Sequence, residues 1–266
     1  MRRIVRLAKL LAGLLIFVAL ATLAYLAIAW FDRETVTITS TVLEEERRLT
    51  IYNPAPETTV PVILVLDGEK WRHGLATAAQ ARLLAWINGK NAPIVIAIDG
   101  MGLRNIDFRN RTSRPADWRP SLTGRADKFD LFVLDEIIPL VERRAGGPRM
   151  FYLFGHSLGG LYAVDFAIRH AAAPSFGGFA AFSPTFSHDL SILDRLAVLC
   201  ASNTRGLITI GLESAREDHL FRVARERLRS TGACVEYAPK LERHPGAIHQ
   251  IAMLPGQAHA IWTVVK

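Results

Sequence analysis

One serine in this chain stands between two glycines at a spacing that is typical of a catalytic nucleophile. Gly155, Ser157 and Gly159 give the pattern G-x-S-x-G within the run FGHSLGG. An apolar run precedes the pattern and a helical apolar pattern follows it, so a predicted strand turns directly into a predicted helix at the serine. Such a turn exposes the serine hydroxyl at the carboxyl edge of a sheet. The pattern predicts a nucleophile; a glycine-rich turn that only packs a helix on a sheet is the alternative.

The predicted nucleophile needs a base, which is normally a histidine oriented by a carboxylate. In folds with this turn the chain order is serine, acid, histidine, with the acid after the next-to-last strand. Glu213 lies closest to the end of the predicted strand LITIG and is the predicted acid. Glu217 and Asp218, about one helical turn later, stay open as alternatives, as does a serine and histidine pair without a fixed acid.

Three histidines follow CVEYA, the last predicted strand. His249 lies in PGAIHQ after a predicted loop and leaves room for a closing helix, so it is the predicted base. His259 would lie within that helix, and His244 precedes the loop motif; both stay open as alternatives. His156, between the first glycine and the serine, is expected to be structural.

Two backbone N–H groups are predicted to stabilise the oxyanion of the reaction. Leu158 supplies one of them at the start of the helix that follows the serine. Glu69 supplies the other from the loop after the strand VILVL, and its side chain is not needed for that role. The alternative interpretation is that the Asp-Gly pair in this loop only forms a turn.

The elements that must position these residues are a hairpin followed by alternating strands and helices. TVTITSTVL and RRLTIYNP predict the hairpin, and apolar runs such as VPVILVLDG and APIVIAIDG predict strands covered on both faces. Helices are predicted at 75–89, 126–144, 158–170, 190–199 and 215–230 and at the C-terminus. We therefore expect one α/β domain with a mostly parallel sheet of about eight strands flanked by helices.

The N-terminal segment differs from the rest of the chain. Residues 10–31 are an almost uninterrupted apolar run that four basic residues precede. A helix of this length spans a hydrocarbon core of about 30 Å, with its basic end in the cytoplasm. We expect residues 1–31 to be a single-pass inner-membrane anchor and residues 32–266 to be the catalytic domain in the periplasm. The small residues at 27–29 also suit signal peptidase, so secretion after cleavage is the alternative.

Charge and cysteine content limit the partners of the domain. The chain carries a net charge of +7, but four of its 32 Lys and Arg residues flank the predicted anchor, so nucleic-acid binding is not indicated. Cys200 and Cys234 are an even pair that suits a disulfide in an oxidising compartment, with two separate buried thiols as the alternative. Because no metal-ligand cluster stands out, neither a metal nor another cofactor is predicted.

An arginine-rich segment bears on the substrate. Arg109, Arg111, Arg114 and Trp118 lie in a predicted loop that should border the site. Guanidinium groups and aromatic rings suit planar, anionic, oxygen-rich ligands. The four residues are predicted to bind substrate; a solvated loop is the alternative.

The chain from about residue 36 to 266 resembles the esterase family of α/β-hydrolases that contains enterochelin esterases, siderophore trilactone hydrolases and esterase D. The resemblance rests on LDGEKW, NIDFRNRTSRP, ADKFDLFVLDEIIPLVE, LFGHSLGGLYA, FSPTF and PGAIH. It implies that Ser157 and His249 are catalytic and that the amides of Glu69 and Leu158 bind the oxyanion. It also implies a small-molecule ester substrate such as an iron-siderophore, which would bring any iron with it.

Two departures from the family pattern concern the substrate. The arginine of RTSR is followed by Pro115, Ala116 and Asp117, where an acidic residue usually comes sooner, and Thr185 and Phe186 stand where a tryptophan pair is often found. An acyltransferase or a carbohydrate-ester hydrolase with the same triad therefore stays open. So does an inactive ligand-binding relative.

Overall fold

The computed structural model describes most of the predicted catalytic domain. The described residues are 33–54, 60–69, 73–100, 124–202, 204–230, 240–249 and 253–265, together with 13, 15, 16, 18, 19, 22 and 23. Within the predicted anchor the described residues are helical, and apolar side chains such as Leu15 and Leu23 are exposed. No helix in the described part of the chain is long and apolar enough to cross a membrane.

The described residues form eight strands in one sheet, as predicted. The strands are β1 (Arg33–Ser40), β2 (Glu45–Tyr52), β3 (Val62–Leu66), β4 (Ile94–Ile98), β5 (Phe151–His156), β6 (Phe176–Phe182), β7 (Arg205–Leu212) and β8 (Lys240–Ile248). Their order is β1-β2-β4-β3-β5-β6-β7-β8. The hairpin β1–β2 and the pair β2–β4 are antiparallel, and every other pair is parallel. The carboxyl ends of β3 to β8 therefore lie at one edge.

Helices connect the parallel strands. They are α1 (His73–Ile87), α2 (Ala126–Leu131), α3 (Ile138–Ala145), α4 (Leu158–His170), α5 (Ser191–Arg195), α6 (Ala197–Ala201), α7 (Ala215–Ser230) and α8 (Met253–Thr263). The bounds of α4 and α7 match those predicted from the sequence. The single helix predicted at 126–144 is instead α2, a π-helical segment Phe132–Ile137 and α3 in succession.

The core lies on both faces of the sheet. Along β3, Leu64 and Leu66 pack in one apolar cluster together with Phe166 of α4. Ile63 and Val65 pack in the other cluster, to which α1 and α8 contribute. Because each face of the strand is covered, its sequence is apolar at every position rather than alternating.

The last strand differs from its prediction. CVEYA, the predicted strand, lies outside the described residues, and residues 240–248, expected to be a loop, form β8. Proline and glycine, here Pro245 and Gly246, are unfavourable in most strands. Proline is tolerated in β8 because β8 is an edge strand of the sheet. The register between β7 and β8 also shifts between Ile210 and Leu212.

One of the two cysteines lies in the described part of the chain. Cys200, in α6, forms a disulfide. Cys234, the other cysteine of the chain, lies outside the described residues. The pairing of Cys200 with Cys234 therefore stays a prediction.

Candidate active site

Ser157 occupies a strained turn between β5 and α4. Its backbone has φ 58° and ψ −117°, a region that a residue with a side chain rarely adopts. The N–H of Ser157 donates to the carbonyl oxygen of Phe182 at 2.9 Å, and its own carbonyl accepts the N–H of Leu161 at 3.0 Å. Neighbouring backbone thus holds the strained residue on both sides, as a nucleophile at this kind of turn requires.

The glycine before the serine is required by close packing. A Cβ on Gly155 would lie 2.1 Å from the carbonyl oxygen of Gly159, a contact that real Cβ atoms do not make. Leu158 begins α4, so its N–H lies at the positive end of a helix of 13 residues. The first glycine of the G-x-S-x-G pattern is therefore one that this turn requires.

Glu213 and His249 lie together at the ends of adjacent strands. Leu212 of β7 pairs with Ile248 of β8, so the residues that follow them are neighbours. The Nδ1 atom of His249 lies 2.8 Å and 2.9 Å from the two carboxylate oxygens of Glu213. Because the carboxylate accepts, Nδ1 carries a proton, and in the neutral ring Nε2 is then the acceptor, which is the tautomer that a general base needs.

The alternative acids are engaged elsewhere. One carboxylate oxygen of Glu217 accepts from the hydroxyl and the N–H of Ser187. The carboxylate of Asp218 pairs with Arg243 and, at 3.8 Å, with Arg222 of the same helix. Of the three candidate carboxylates, Glu213 is the one that the structure brings to His249.

The alternative histidines, His244 and His259, lie near Glu242 rather than Glu213. His259 of α8 pairs through Nδ1 with a carboxylate oxygen of Glu242 at 2.7 Å. Partial burial lowers the pKa of His244, a change that nearby Glu242 opposes and nearby His259 reinforces. Neither histidine has a described contact with Glu213 or Ser157.

The loop after β3 lies beside the elbow, because β3 and β5 are adjacent strands. Asp67 has a positive φ of 48°, and the N–H of Gly68 donates to the carbonyl oxygen of Ile98 at 3.0 Å. A Cβ on Gly68 would lie 2.3 Å from the side chain of Ala97, so this loop packs tightly on the end of β4. The backbone of Glu69 is thereby held at the same sheet edge as Ser157.

The side chain of Glu69 joins a group of carboxylates. It accepts the N–H of Gly100 at 3.1 Å. Partial burial raises the pKa of Glu69, the carboxylates of Asp99 and Asp67 act in the same direction, and the Gly100 N–H opposes them. The proton on this carboxyl is therefore held to a higher pH than on an isolated glutamate.

The predicted substrate-binding residues Arg109, Arg111, Arg114 and Trp118 lie outside the described residues. Arg125, at the end of the same arginine-rich segment, is described. It donates to the carboxylate of Glu45, the first residue of β2, at 2.6 Å.

His156 makes a contact that is not predictable from its position in the sequence. Its Nε2 lies 2.6 Å from the carbonyl oxygen of His249. Its ring also packs against those of His249 and His73, with centroid distances of 4.8 Å and 5.4 Å. The sequence signals only that His156 adjoins Ser157, because its partner lies 93 residues further along the chain.

The structure has two cavities of note, and one of them has the predicted site residue Glu69 in its lining. A polar cavity of about 370 Å³ adjoins Glu69, and Arg33, Arg48 and Tyr52 are among its lining residues. A larger cavity of about 560 Å³ lies between α1 and α8 at the opposite edge of the sheet and contains none of the predicted site residues. Among the described residues, no group of histidine, cysteine and carboxylate side chains is arranged to hold a metal ion.

Comparison with known families gives a match over most of the chain. Residues 40–230 match the Esterase family model, whose description is "Putative esterase". No curated protein matches the sequence.

Solved structures share the fold at low identity. The IroE-like serine hydrolase from Shewanella oneidensis is 20% identical, with a TM-score of 0.70 over 86% of this chain and 79% of that one. The siderophore hydrolase EstA from Aspergillus nidulans is 19% identical, with a TM-score of 0.66 over 87% and 93%. The enterobactin esterase FES from Shigella flexneri is 17% identical, with a TM-score of 0.64 over 87% of this chain, which spans 59% of that protein.

The sheet order, the strained serine turn and the family match all indicate an α/β-hydrolase fold. The structural neighbours have the same α/β-hydrolase architecture. The chain therefore belongs to the Esterase family and is a carboxylic ester hydrolase.

Proposed function

We propose that this chain is a serine esterase that uses Ser157 as nucleophile, His249 as base and Glu213 as the acid that orients the base. The observation that carries the proposal is the pair of contacts from the Glu213 carboxylate to Nδ1 of His249, at 2.8 Å and 2.9 Å. The side chain of Glu213 is 7% exposed and that of His249 is 29% exposed. A buried acid and a solvent-accessible ring suit a base that must exchange protons with substrate.

The proposed reaction proceeds through an acyl-enzyme. Nε2 of His249 takes the proton of the Ser157 hydroxyl as the oxygen attacks the ester carbonyl. The amides of Leu158 and Glu69 stabilise the oxyanion, and the imidazolium returns its proton to the leaving alcohol. Water, activated by the same imidazole, then releases the acid product from the serine.

We propose siderophores with catecholate groups on a lactone or linear ester backbone as the substrate class. The arginine and tryptophan content of residues 104–125 supports this class, because guanidinium groups bind planar, oxygen-rich anions. Two structural neighbours are a siderophore hydrolase and an enterobactin esterase by name.

The test is a product analysis with three substrates. The purified chain and a Ser157→Ala control are incubated with a ferric tricatecholate trilactone, with its iron-free form and with short-chain aryl esters, and the products are identified by mass spectrometry. Serine-dependent opening of the trilactone is the expected result.

The other outcomes separate the parts of the proposal. Cleavage of the aryl esters alone would leave the mechanism and remove the siderophore assignment. Transfer of the acyl group to an added alcohol or sugar would indicate an acyltransferase. Equal products with the wild-type chain and Ser157→Ala would contradict the proposed nucleophile.

We also propose that residues 10–31 anchor the protein in the inner membrane, with residues 32–266 in the periplasm. The length of the apolar run and the basic residues before it support this arrangement. A siderophore hydrolase in that position would act on ferric complexes after they enter the periplasm.

A further inference from the structure

Three histidine rings form a row of contacts through the residue that precedes the proposed nucleophile. His73 is the first residue of α1, His156 is the last residue of β5, and His249 follows β8. The ring centroids of His73 and His156 are 5.4 Å apart with an interplanar angle of 72°, and those of His156 and His249 are 4.8 Å apart. Both His73 and His156 are buried, at 2% and 8% exposure. The ring of His156 therefore contacts both of the other rings.

His156 also makes a directional contact with the main chain of His249. Its Nε2 lies 2.6 Å from the carbonyl oxygen of His249. A carbonyl oxygen can only accept, so Nε2 of His156 carries a proton and donates it. The residue that immediately precedes the proposed nucleophile is thus bonded to the backbone of the proposed base.

The backbone of His249 needs such a contact. His249 follows β8, an edge strand of the sheet that contains Pro245 and Gly246. The pairing of β8 with β7 also has a register shift. Such a strand end constrains the following residue less than a central strand does. Glu213 fixes the ring of His249 through Nδ1, but this contact alone leaves the position of its backbone undetermined.

We propose that His156 is a positioning residue that sets the distance between the base and the nucleophile. Its N–H holds the His249 carbonyl, and its own backbone continues directly into Ser157. Together with the Glu213 contact, this bond fixes His249 at two points, the main chain and Nδ1. The inference rests on the proposed function, because it assumes that His249 is the base for Ser157.

The test compares side chains of similar size with and without a donor. His156→Phe keeps a planar ring but has no N–H, whereas His156→Gln can place an amide N–H at about the reach of the original Nε2. A displacement of the base of about 1 Å costs on the order of a hundredfold in rate. We expect His156→Phe to lower kcat about ten- to a hundredfold with little change in KM, and His156→Gln to recover most of the loss.

A second pair of variants keeps the test decisive if His156→Phe does not fold. His156→Asn has the same amide as His156→Gln on a shorter side chain, so it should fall short of the carbonyl and show the lower kcat. Circular dichroism and thermal unfolding would verify that the compared variants are folded.

Two results would overturn the inference. One is a wild-type kcat in a folded His156→Phe variant. The other is an equal loss of kcat in His156→Phe and His156→Gln, which would show that the donor is not what matters. Absence of Ser157-dependent turnover in the wild-type chain would instead overturn the proposed function, and this inference with it.

Discussion

The contact of Glu213 with His249 decides which nitrogen of the imidazole carries the proton. Because the carboxylate accepts from Nδ1 at 2.8 Å, the neutral ring presents an unprotonated Nε2. An amide in place of the carboxylate can donate to Nδ1 and so stabilise the opposite tautomer. The electrostatic stabilisation of the imidazolium would be lost at the same time.

We therefore expect Glu213→Gln to lower kcat/KM for a short-chain aryl ester by about 10³- to 10⁴-fold. Glu217→Gln is the matched control, because Glu217 is the same residue type in the following helix and bonds Ser187 instead. The control should stay within about twofold of wild type, as expected for a residue outside the reacting groups. Equal losses in the two variants would contradict the assignment of Glu213.

Glu69 provides a prediction about pH. Its pKa is raised above the ordinary value of 4.5, so the folded chain keeps this proton to a higher pH than the unfolded chain does. The stabilisation is complete below pH 4.5 and is lost as the pH rises through the raised pKa of the folded state. Glutamine cannot ionise, and its carbonyl oxygen can still accept the N–H of Gly100.

Glu69→Gln should therefore have a higher Tm than wild type at pH 7, and the difference should disappear below about pH 4.5. The increase should be modest, because Glu69 is an exposed residue and solvent screens its charge. Glu46→Gln, at an exposed position of β2, is the control for loss of a negative charge from a basic protein. Thermal unfolding at several pH values measures both variants. A wild-type Tm above that of Glu69→Gln at pH 7 would contradict the prediction.

At the residue scale, local pattern and long-range contact differ in how well the sequence predicts them. Gly155 is needed within the turn that carries Ser157, so the sequence shows it two residues before the serine. The choice of Glu213 and His249 required the strand order of a fold, since the two residues meet only across neighbouring strands. The bond from His156 to His249 has no sequence signature, because a histidine beside a serine is common in either role.

At the scale of elements, the elbow between β5 and α4 has little room for a side chain. A Cβ on Gly155 would lie 2.1 Å from the Gly159 carbonyl oxygen. Backbone cannot move aside as a flexible side chain can, so an added methyl group must shift the turn that carries Ser157.

We expect Gly155→Ala to lower both the free energy of unfolding, by about 3 kcal/mol, and kcat. Gly89→Ala is the control, because Gly89 has a φ of +59° and open space around it. The control should cost only about 1–2 kcal/mol for the left-handed backbone and leave kcat unchanged. Urea denaturation and steady-state kinetics measure the two effects. Wild-type kcat and stability in Gly155→Ala would contradict this account of the elbow.

The elements themselves were predictable to different degrees. Continuous apolar runs bounded by turns gave β3 and β4, and helical periodicity gave α4 and α7 with their observed bounds. The π-helical segment Phe132–Ile137 shares the composition of a regular helix, so periodicity did not distinguish it. Residues 240–248 were wrongly expected to be a loop, because Pro245 and Gly246 are strand breakers except in an outer strand such as β8.

At the scale of the whole molecule, strand direction relates the proposed anchor to the site. Arg33 pairs with Tyr52, and Tyr52 pairs with Val95 near the start of β4. β1 therefore begins at the edge of the sheet opposite the one at which Ser157 lies.

The proposed membrane anchor is tested by fractionation of cells. The full chain should sediment with membranes and resist extraction by high salt, whereas a chain that begins at residue 32 should not sediment. Intact-mass analysis of the membrane-bound protein should show an uncleaved N-terminus. A soluble protein that has lost residues 1–29 would show that the segment is a signal peptide.

The central claim, that Ser157 is an activated nucleophile, is tested most directly by reaction with a fluorophosphonate probe. The folded chain should form one covalent adduct, located on Ser157 by peptide mass spectrometry. The adduct should form much more slowly in Glu213→Gln and not at all in heat-unfolded protein, because activation depends on the assembled site. Turnover of esters by a protein that shows no adduct on Ser157, or by Ser157→Ala, would contradict the account.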